Sequence, residues 1–218
     1  MSERPSERRL ARLALFPANI FCYDLPAEES RVLNAALYQE VDRLFTPRPN
    51  LQPGQNFQTH HDLHRRPAFR PAMRVAEAAL LETLAAMKAV HEGVVITGCW
   101  ANMNPVGVPH APHSHPNNLL AGVYYVQADE GADRITFHDP RPQLYPLWPR
   151  AERRNALNAP HWSVPVQAGR VIVFPAWLMH SVPPNRSRRP RLSISFNAML
   201  KDPARVLPPT AWSEWAQG

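Results

Sequence analysis

The chain has 218 residues, 44% of them hydrophobic, and a formal net charge of +6, which describes a globular chain long enough for one sizeable core and leaves little room for disorder beyond the ends. No run of five or six Lys/Arg marks a nucleic-acid-binding arm, and no window reaches the ~18 apolar residues of a membrane span. The only cysteines, Cys22 and Cys99, exclude a disulfide framework and a cysteine zinc site.

Twenty-five prolines stand against eight glycines. Proline is barred from helix interiors and central strands, so the chain is cut into short elements with stiff connections, as in a β-rich core. At the N-terminus, basic residues precede an apolar run, but Glu3, Glu7 and Pro17 interrupt it and no small-residue cleavage site follows, so the expected setting is soluble and cytoplasmic. Residues 1–12 read as frayed, and LALFPANIFCYDL as one or two strands bent at Pro17 and Asn19.

In PAEESRVLNAALYQEVDRLF, the positions Val32, Leu33, Ala36, Leu37, Val41, Leu44 and Phe45 recur at helical spacing behind Pro26 and an acidic first turn, which predicts an amphipathic helix. From Thr46 to Pro71 the Pro-, Asn- and His-rich sequence predicts loop, with a short strand near Phe57. His60, His61 and His64 fall here. His60 and His64 would share a helix face, but nothing nearby completes a metal set, and rim or surface polarity is the plainer account. FRPAMRVAEAALLETLAAMKAVHEG is the strongest helix, stopped at Gly93. Beyond it VVITGCWANM, LLAGVYYVQA, DRITFHD, WSVPVQ, GRVIVFP and RLSISFNAML read as strands. Two helices followed by at least six strands imply one domain over 1–218: mostly helical support over 1–93, an all-β core over 94–200 with helices on the outside of one sheet, and a tail over 201–218. Trp148, Trp162, Trp177, Trp212 and Trp215 read as core or rim, and WSEWAQG as a short C-terminal helix or a partner contact.

The chemistry concentrates in WANMNPVGVPHAPHSHPNNLLAGVYYV. Residues i and i+2 of a strand share a face, so His113 and His115 can point at one atom. A third imidazole, His180, ends the apolar run VIVFPAWLMH, and the three together suit a metal. Imidazole ligands alone do not choose among iron, zinc, copper and nickel. In RLSISFN, Arg191, Ser193, Ser195 and Asn197 alternate with apolar residues, which places a guanidinium and two hydroxyls on one strand face. There Arg191 can hold an acidic cosubstrate. Arg186, Arg188 and Arg189 read as loop surface, and Asn104-Pro105 as a turn.

From Trp100 to Leu200 the chain resembles the double-stranded β-helix (jelly-roll, cupin-like) oxygenases that use Fe(II) and 2-oxoglutarate, specifically their prolyl-hydroxylase-like branch. Gly107 stands six residues before His113, followed by the tyrosine-bearing VYYV, the turn FHDPRP, a strand ending in FP before His180, and Arg191 in an R-x-S context. The resemblance implies His113, His115 and His180 as ligands of Fe(II) and Arg191 as the partner of the distal carboxylate of 2-oxoglutarate, with help from Ser193 and from Tyr125, if one unbroken strand gives it the parity of the histidines. Asn102 and His110 would line the approach. The family's usual triad has Asp or Glu where His115 stands, and Asp139 is the alternative carboxylate, although DPR reads first as a turn capped by Asp. The implied activity is hydroxylation of a peptide, an amino acid or another small molecule with O2. A three-histidine cupin-like dioxygenase without 2-oxoglutarate, and a non-catalytic jelly-roll module, compete with it. A homodimer stays open.

Overall fold

The computed structural model describes residues 17–50, 54–141 and 150–203. Trp148, Trp212, Trp215, the N-terminal charged stretch and the C-terminal WSEWAQG lie outside the described residues. The elements, in chain order, are β1 (Phe21–Asp24), α1 (Ala27–Leu44), β2 (Phe57–Gln58), α2 (Arg70–Ala86), β3 (Val94–Asn104), β4 (His110–His113), β5 (Leu120–Gln127), β6 (Arg134–His138), β7 (His161–Pro165), β8 (Arg170–Pro175), β9 (His180–Val182) and β10 (Arg191–Leu200). Both helices and all six expected strands form. The structure adds β4 and β9, three- and four-residue strands too short for a periodic signal.

Among the described residues ten strands make two sheets, a major one in the order β1-β8-β5-β10-β3-β2 and a minor one in the order β4-β9-β6-β7, with these strands pairing antiparallel throughout. This is the jelly-roll core expected, but its major sheet also takes in β1 and β2 from ahead of residue 94. One core lies between the major sheet and the helices, where Leu37, Val41, Ala76, Leu80 and Leu84 meet Ala101, Tyr124, Val173, Leu192, Ile194 and Phe196. Tyr124 anchors this layer by donating to Asn34 Oδ1 at 2.7 Å. The second core lies between the sheets and holds Ala121, Tyr125, Ile135, Phe137, Ile172 and Phe174.

The alternation in β10 therefore sorts side chains between two interiors: Leu192, Ile194 and Phe196 go to the helices, whereas Arg191, Ser193 and Ser195 face a cavity inside the sandwich. Both faces are buried, so the polar residues of this strand are not a solvated edge. Gly122 makes the centre of the major sheet possible. A Cβ there would meet the Phe196 ring at 2.3 Å, and only glycine lets that ring lie across β5. Trp162 and Trp177 are 45% and 57% exposed, which makes them rim residues rather than core.

Candidate metal and cosubstrate site

A cavity continuous with open solvent opens between the two sheets. At one end stand His113, His115 and His180, whose ligand-capable atoms all lie within 4.8 Å of one another. They reach that place differently from the strand-parity expectation. β4 ends at His113, which pairs directly across from His180 of β9, and two residues opposite each other on adjacent strands share a face. His115 lies past the strand, in a turn fastened by its own N–H to the carbonyl of Ala176 at 2.8 Å. Pro112 and Pro116 flank that turn and narrow its backbone choices.

The tautomers suit a metal. His113 Nδ1 lies 2.9 Å from the Ala111 carbonyl and His180 Nδ1 3.0 Å from that of Leu178. A carbonyl only accepts, so each Nδ1 carries the hydrogen and each Nε2 keeps its lone pair. This is the second-shell arrangement usual for metal-ligating histidines. His115 Nε2 and His180 Nε2 lie 3.3 Å apart, near the ~3 Å that separates two nitrogens bound at right angles about 2.0–2.1 Å from one ion. Burial, with smaller contributions from neighbouring imidazoles, pushes His115 down to about 4 and His180 down to about 3. Both rings are therefore neutral near pH 7, the state a ligand needs. A fourth imidazole, His110, stacks on His113 with centroids 4.4 Å apart and lines the cavity.

Asp139 is placed elsewhere. Its Oδ1 accepts from the N–H of Arg141 at 3.0 Å, and its carboxylate takes the Arg141 guanidinium at 2.9 and 2.7 Å. That is the Asp-capped turn read from DPR, and the arginine holds this carboxyl below the usual range. Asp139 is absent from the three-histidine group. Nor do His60 and His64 form a helical metal pair. His64 lies in a single short helical turn, Leu63–Arg65, that does not reach His60, and His61 stacks on Trp100, centroids 4.3 Å apart.

At the other end is Arg191, 4% exposed. Its Nη2 donates to Asn104 Oδ1 at 3.2 Å and its Nη1 to the Arg134 carbonyl at 3.4 Å, while its buried Nε has no partner. Among the described residues no carboxylate pairs with it, and burial pulls its pKa down, opposed by the Tyr125 phenol. Tyr125 is fully buried and raised to about 12 by that burial, so its hydroxyl stays protonated and able to donate. Tyr125 does not share the parity of the histidines, because β4 and β5 are separate strands of different sheets. It reaches the cavity from β5, where Ser193 sits between Tyr125 and Asn102 in register. Asn102 donates to Ser195 Oγ at 3.0 Å and accepts from Asn56 Nδ2 at 3.2 Å. Trp100, Val123, Ile135 and Val182 complete the wall. Their apolar character, indistinguishable from core in the sequence, hides them.

Among the cavity's lining residues there is no Asp or Glu. A jelly roll with a cluster of imidazoles at the lip and a buried guanidinium in its depth offers groups able to bind a metal ion and an anion. Residues 98–197 match the profile of the family described as "Putative 2OG-Fe(II) oxygenase". The matched stretch includes His113, His115, His180 and Arg191, and over it the chain is similar to the Fe(II)/2-oxoglutarate-dependent oxygenases.

Solved structures share the fold at low identity. The non-heme alpha-ketoglutarate-dependent epimerase SnoN of nogalamycin biosynthesis is 20% identical, with a TM-score of 0.58 over 84% of this chain and 76% of that one. A Pseudomonas putida prolyl-4-hydroxylase is 16% identical, with a TM-score of 0.57 over 84% and 94%. HygX from Streptomyces hygroscopicus, solved with nickel and 2-oxoglutarate bound, is 13% identical, with a TM-score of 0.58 over 85% and 84%. No curated protein matches the sequence. Among the described residues, no helix is long and apolar enough to cross a membrane.

Proposed function

We propose that this oxygenase uses Fe(II), held by His113, His115 and His180, and 2-oxoglutarate, held by Arg191 with Ser193, Tyr125 and Asn102, to hydroxylate a peptide, an amino acid or another small molecule. One observation carries the reading: a fully buried guanidinium without a carboxylate shares a cavity with three imidazoles whose lone pairs converge. An isolated buried charge is costly, and a dicarboxylate bound in the cavity would compensate it. The alternative of a three-histidine dioxygenase without 2-oxoglutarate leaves Arg191 with nothing to do, and a structural metal site leaves the cavity unexplained.

When bound, metal and cosubstrate supply the oxidation of 2-oxoglutarate by O2 to succinate and CO2, with one oxygen atom passing to substrate. The chain's own part is positioning. The carbonyls of Ala111 and Leu178 hold two imidazoles in the tautomer that ligates. The Arg191 fork matches a carboxylate with two parallel hydrogen bonds, and the Ser193 and Tyr125 hydroxyls can add to them. Val123, Ile135 and Val182 line the space between with apolar side chains, and exclusion of water by bound ligands there would strengthen each of these bonds. As the three protein ligands, His113, His115 and His180 would leave the metal able to take up a 2-oxoacid. With histidine at position 115 all three ligands are neutral, so the site carries one more positive charge than a carboxylate-bearing triad.

The test is anaerobic reconstitution with Fe(II), metal quantification, and succinate measurement after addition of 2-oxoglutarate and O2. One equivalent of iron and slow succinate formation without added substrate are expected. A protein that binds iron yet never consumes 2-oxoglutarate would overturn the cosubstrate assignment. Fold neighbours include an epimerase and a carbocyclase, so oxygen-18 transfer from O2 into product is the measurement that decides for hydroxylation.

A further inference from the structure

Asn104 ends β3 directly opposite Arg191 of β10, so the two side chains project from the same face. It is completely buried, and its Oδ1 accepts from Arg191 Nη2 at 3.2 Å. Its own Nδ2 is buried without a partner, as is Arg191 Nε. A turn-forming Asn-Pro pair needs neither full burial nor a bond to a guanidinium.

The backbone of Asn104 is fastened as well. Asn185 Nδ2 donates to the Asn104 carbonyl at 3.1 Å and to the Arg189 carbonyl at 2.8 Å, and Ser187 closes on Asn185 Oδ1 and the same Arg189 carbonyl. This knot ties the end of β3 to the loop that leads into Arg191. Two carboxylates of neighbouring segments are paired with other arginines, Asp129 with Arg189 and Asp24 with Arg170. Arg191 is thus gripped only by uncharged acceptors, an amide oxygen and a backbone carbonyl.

We infer that Asn104 is a positioning residue for the cosubstrate, a neutral acceptor that aims the Arg191 guanidinium into the cavity while leaving its charge for an incoming carboxylate. The inference rests on the role proposed for Arg191 and adds why the residue opposite it is Asn and not Asp. An aspartate differs by one heavy atom and has the same reach, but it would compensate the guanidinium from within the protein. The incoming carboxylate would then compete with a partner already paired. The two orphaned donors, Arg191 Nε and Asn104 Nδ2, are the second observation in its favour, because buried donors without acceptors are rare.

The experiment uses the full chain loaded with Ni2+, and measures calorimetrically the binding of 2-oxoglutarate and, separately, of succinate. Asn104→Asp is expected to raise the 2-oxoglutarate Kd about 10–100-fold, the usual cost of losing an outer-shell partner. Ni2+ affinity and melting temperature should not fall, since the new pair satisfies the arginine. A purely structural role predicts the opposite: unchanged 2-oxoglutarate affinity in the folded variant, or equal loss of metal and cosubstrate, and either result overturns the inference. Should Asn104→Asp fail to fold, Asn104→Ser, which keeps a neutral oxygen, must bind 2-oxoglutarate more tightly than Asn104→Ala. Equal affinities reject the idea. Wild-type protein that binds succinate but not 2-oxoglutarate, with the same response to Asn104→Asp, sinks the cosubstrate reading and supports the Asn104 role. Wild-type protein that binds neither sinks both.

Discussion

The two ends of the cavity are built on different principles. The histidine end stands on short pieces: a four-residue strand, a three-residue strand and a proline-flanked turn, with His113 and His115 only half-buried. The arginine end stands in the longest strand pairing of the major sheet, where β10 runs antiparallel to β3 from Arg191 to Leu200. At the lip the half-buried side chains can exchange hydration for a metal at modest cost. In the depth a charge is held permanently out of water. The lesson is that the first end can be lost without losing the fold, whereas the second is woven into the sheet.

The largest expected effect tests that separation directly. His180→Ala should abolish iron retention and 2-oxoglutarate-dependent succinate formation, by about 10³-fold or more in a metal-assisted reaction, with circular dichroism unchanged. A variant that kept both iron and turnover would remove His180 from the ligand set. Next, Arg191→Ala should weaken 2-oxoglutarate by about 2–5 kcal/mol, the cost of truncating one partner of a buried charge pair, while iron binding persists. Parallel loss of both ligands would show that the ends are not independent. His115→Ala should lower metal affinity, whereas His115→Asp should retain it, because the substituted carboxylate restores the usual triad; iron titration of the pair checks the position.

Two smaller effects probe the frame. Gly122→Ala forces a methyl into the Phe196 ring and should cost about 1–3 kcal/mol, read as a lower melting temperature. The exposed end of β1 is joined to β8 by Asp24 and Arg170 at 2.7 Å, and Asp24→Asn should cost less than about 1 kcal/mol. The arginine lowers the Asp24 pKa. The pair's contribution is therefore present above the unfolded carboxyl pKa and is lost as pH falls through the folded one. Asp24→Asn should flatten the decline of melting temperature below about pH 4 and leave neutral-pH behaviour nearly unchanged.

Much of the architecture was legible because it is periodic. Helical spacing of Leu33, Leu37 and Val41 and the alternation of Arg191, Ser193 and Ser195 against Leu192, Ile194 and Phe196 are local records of which face meets a core. The convergence of His113 and His115 was anticipated, but on the wrong ground: the strand stops at His113, and what turns His115 toward the same point is a hydrogen bond to Ala176, sixty residues downstream. The inward direction of Tyr125 followed from its own strand and not from continuity with the histidines. Asn104 gave no signal at all, since Asn before Pro reads as a turn.

Chain order alone therefore carried the element types, the face each strand offers to the interior, and the identity of the residues able to bind a metal and an anion, because hydrophobic periodicity and side-chain chemistry are local properties. The tertiary structure alone decided which imidazoles meet and that Arg191 is buried opposite a neutral amide. Those outcomes depend on strand register between segments sixty to ninety residues apart, and register is set by packing the whole sandwich at once.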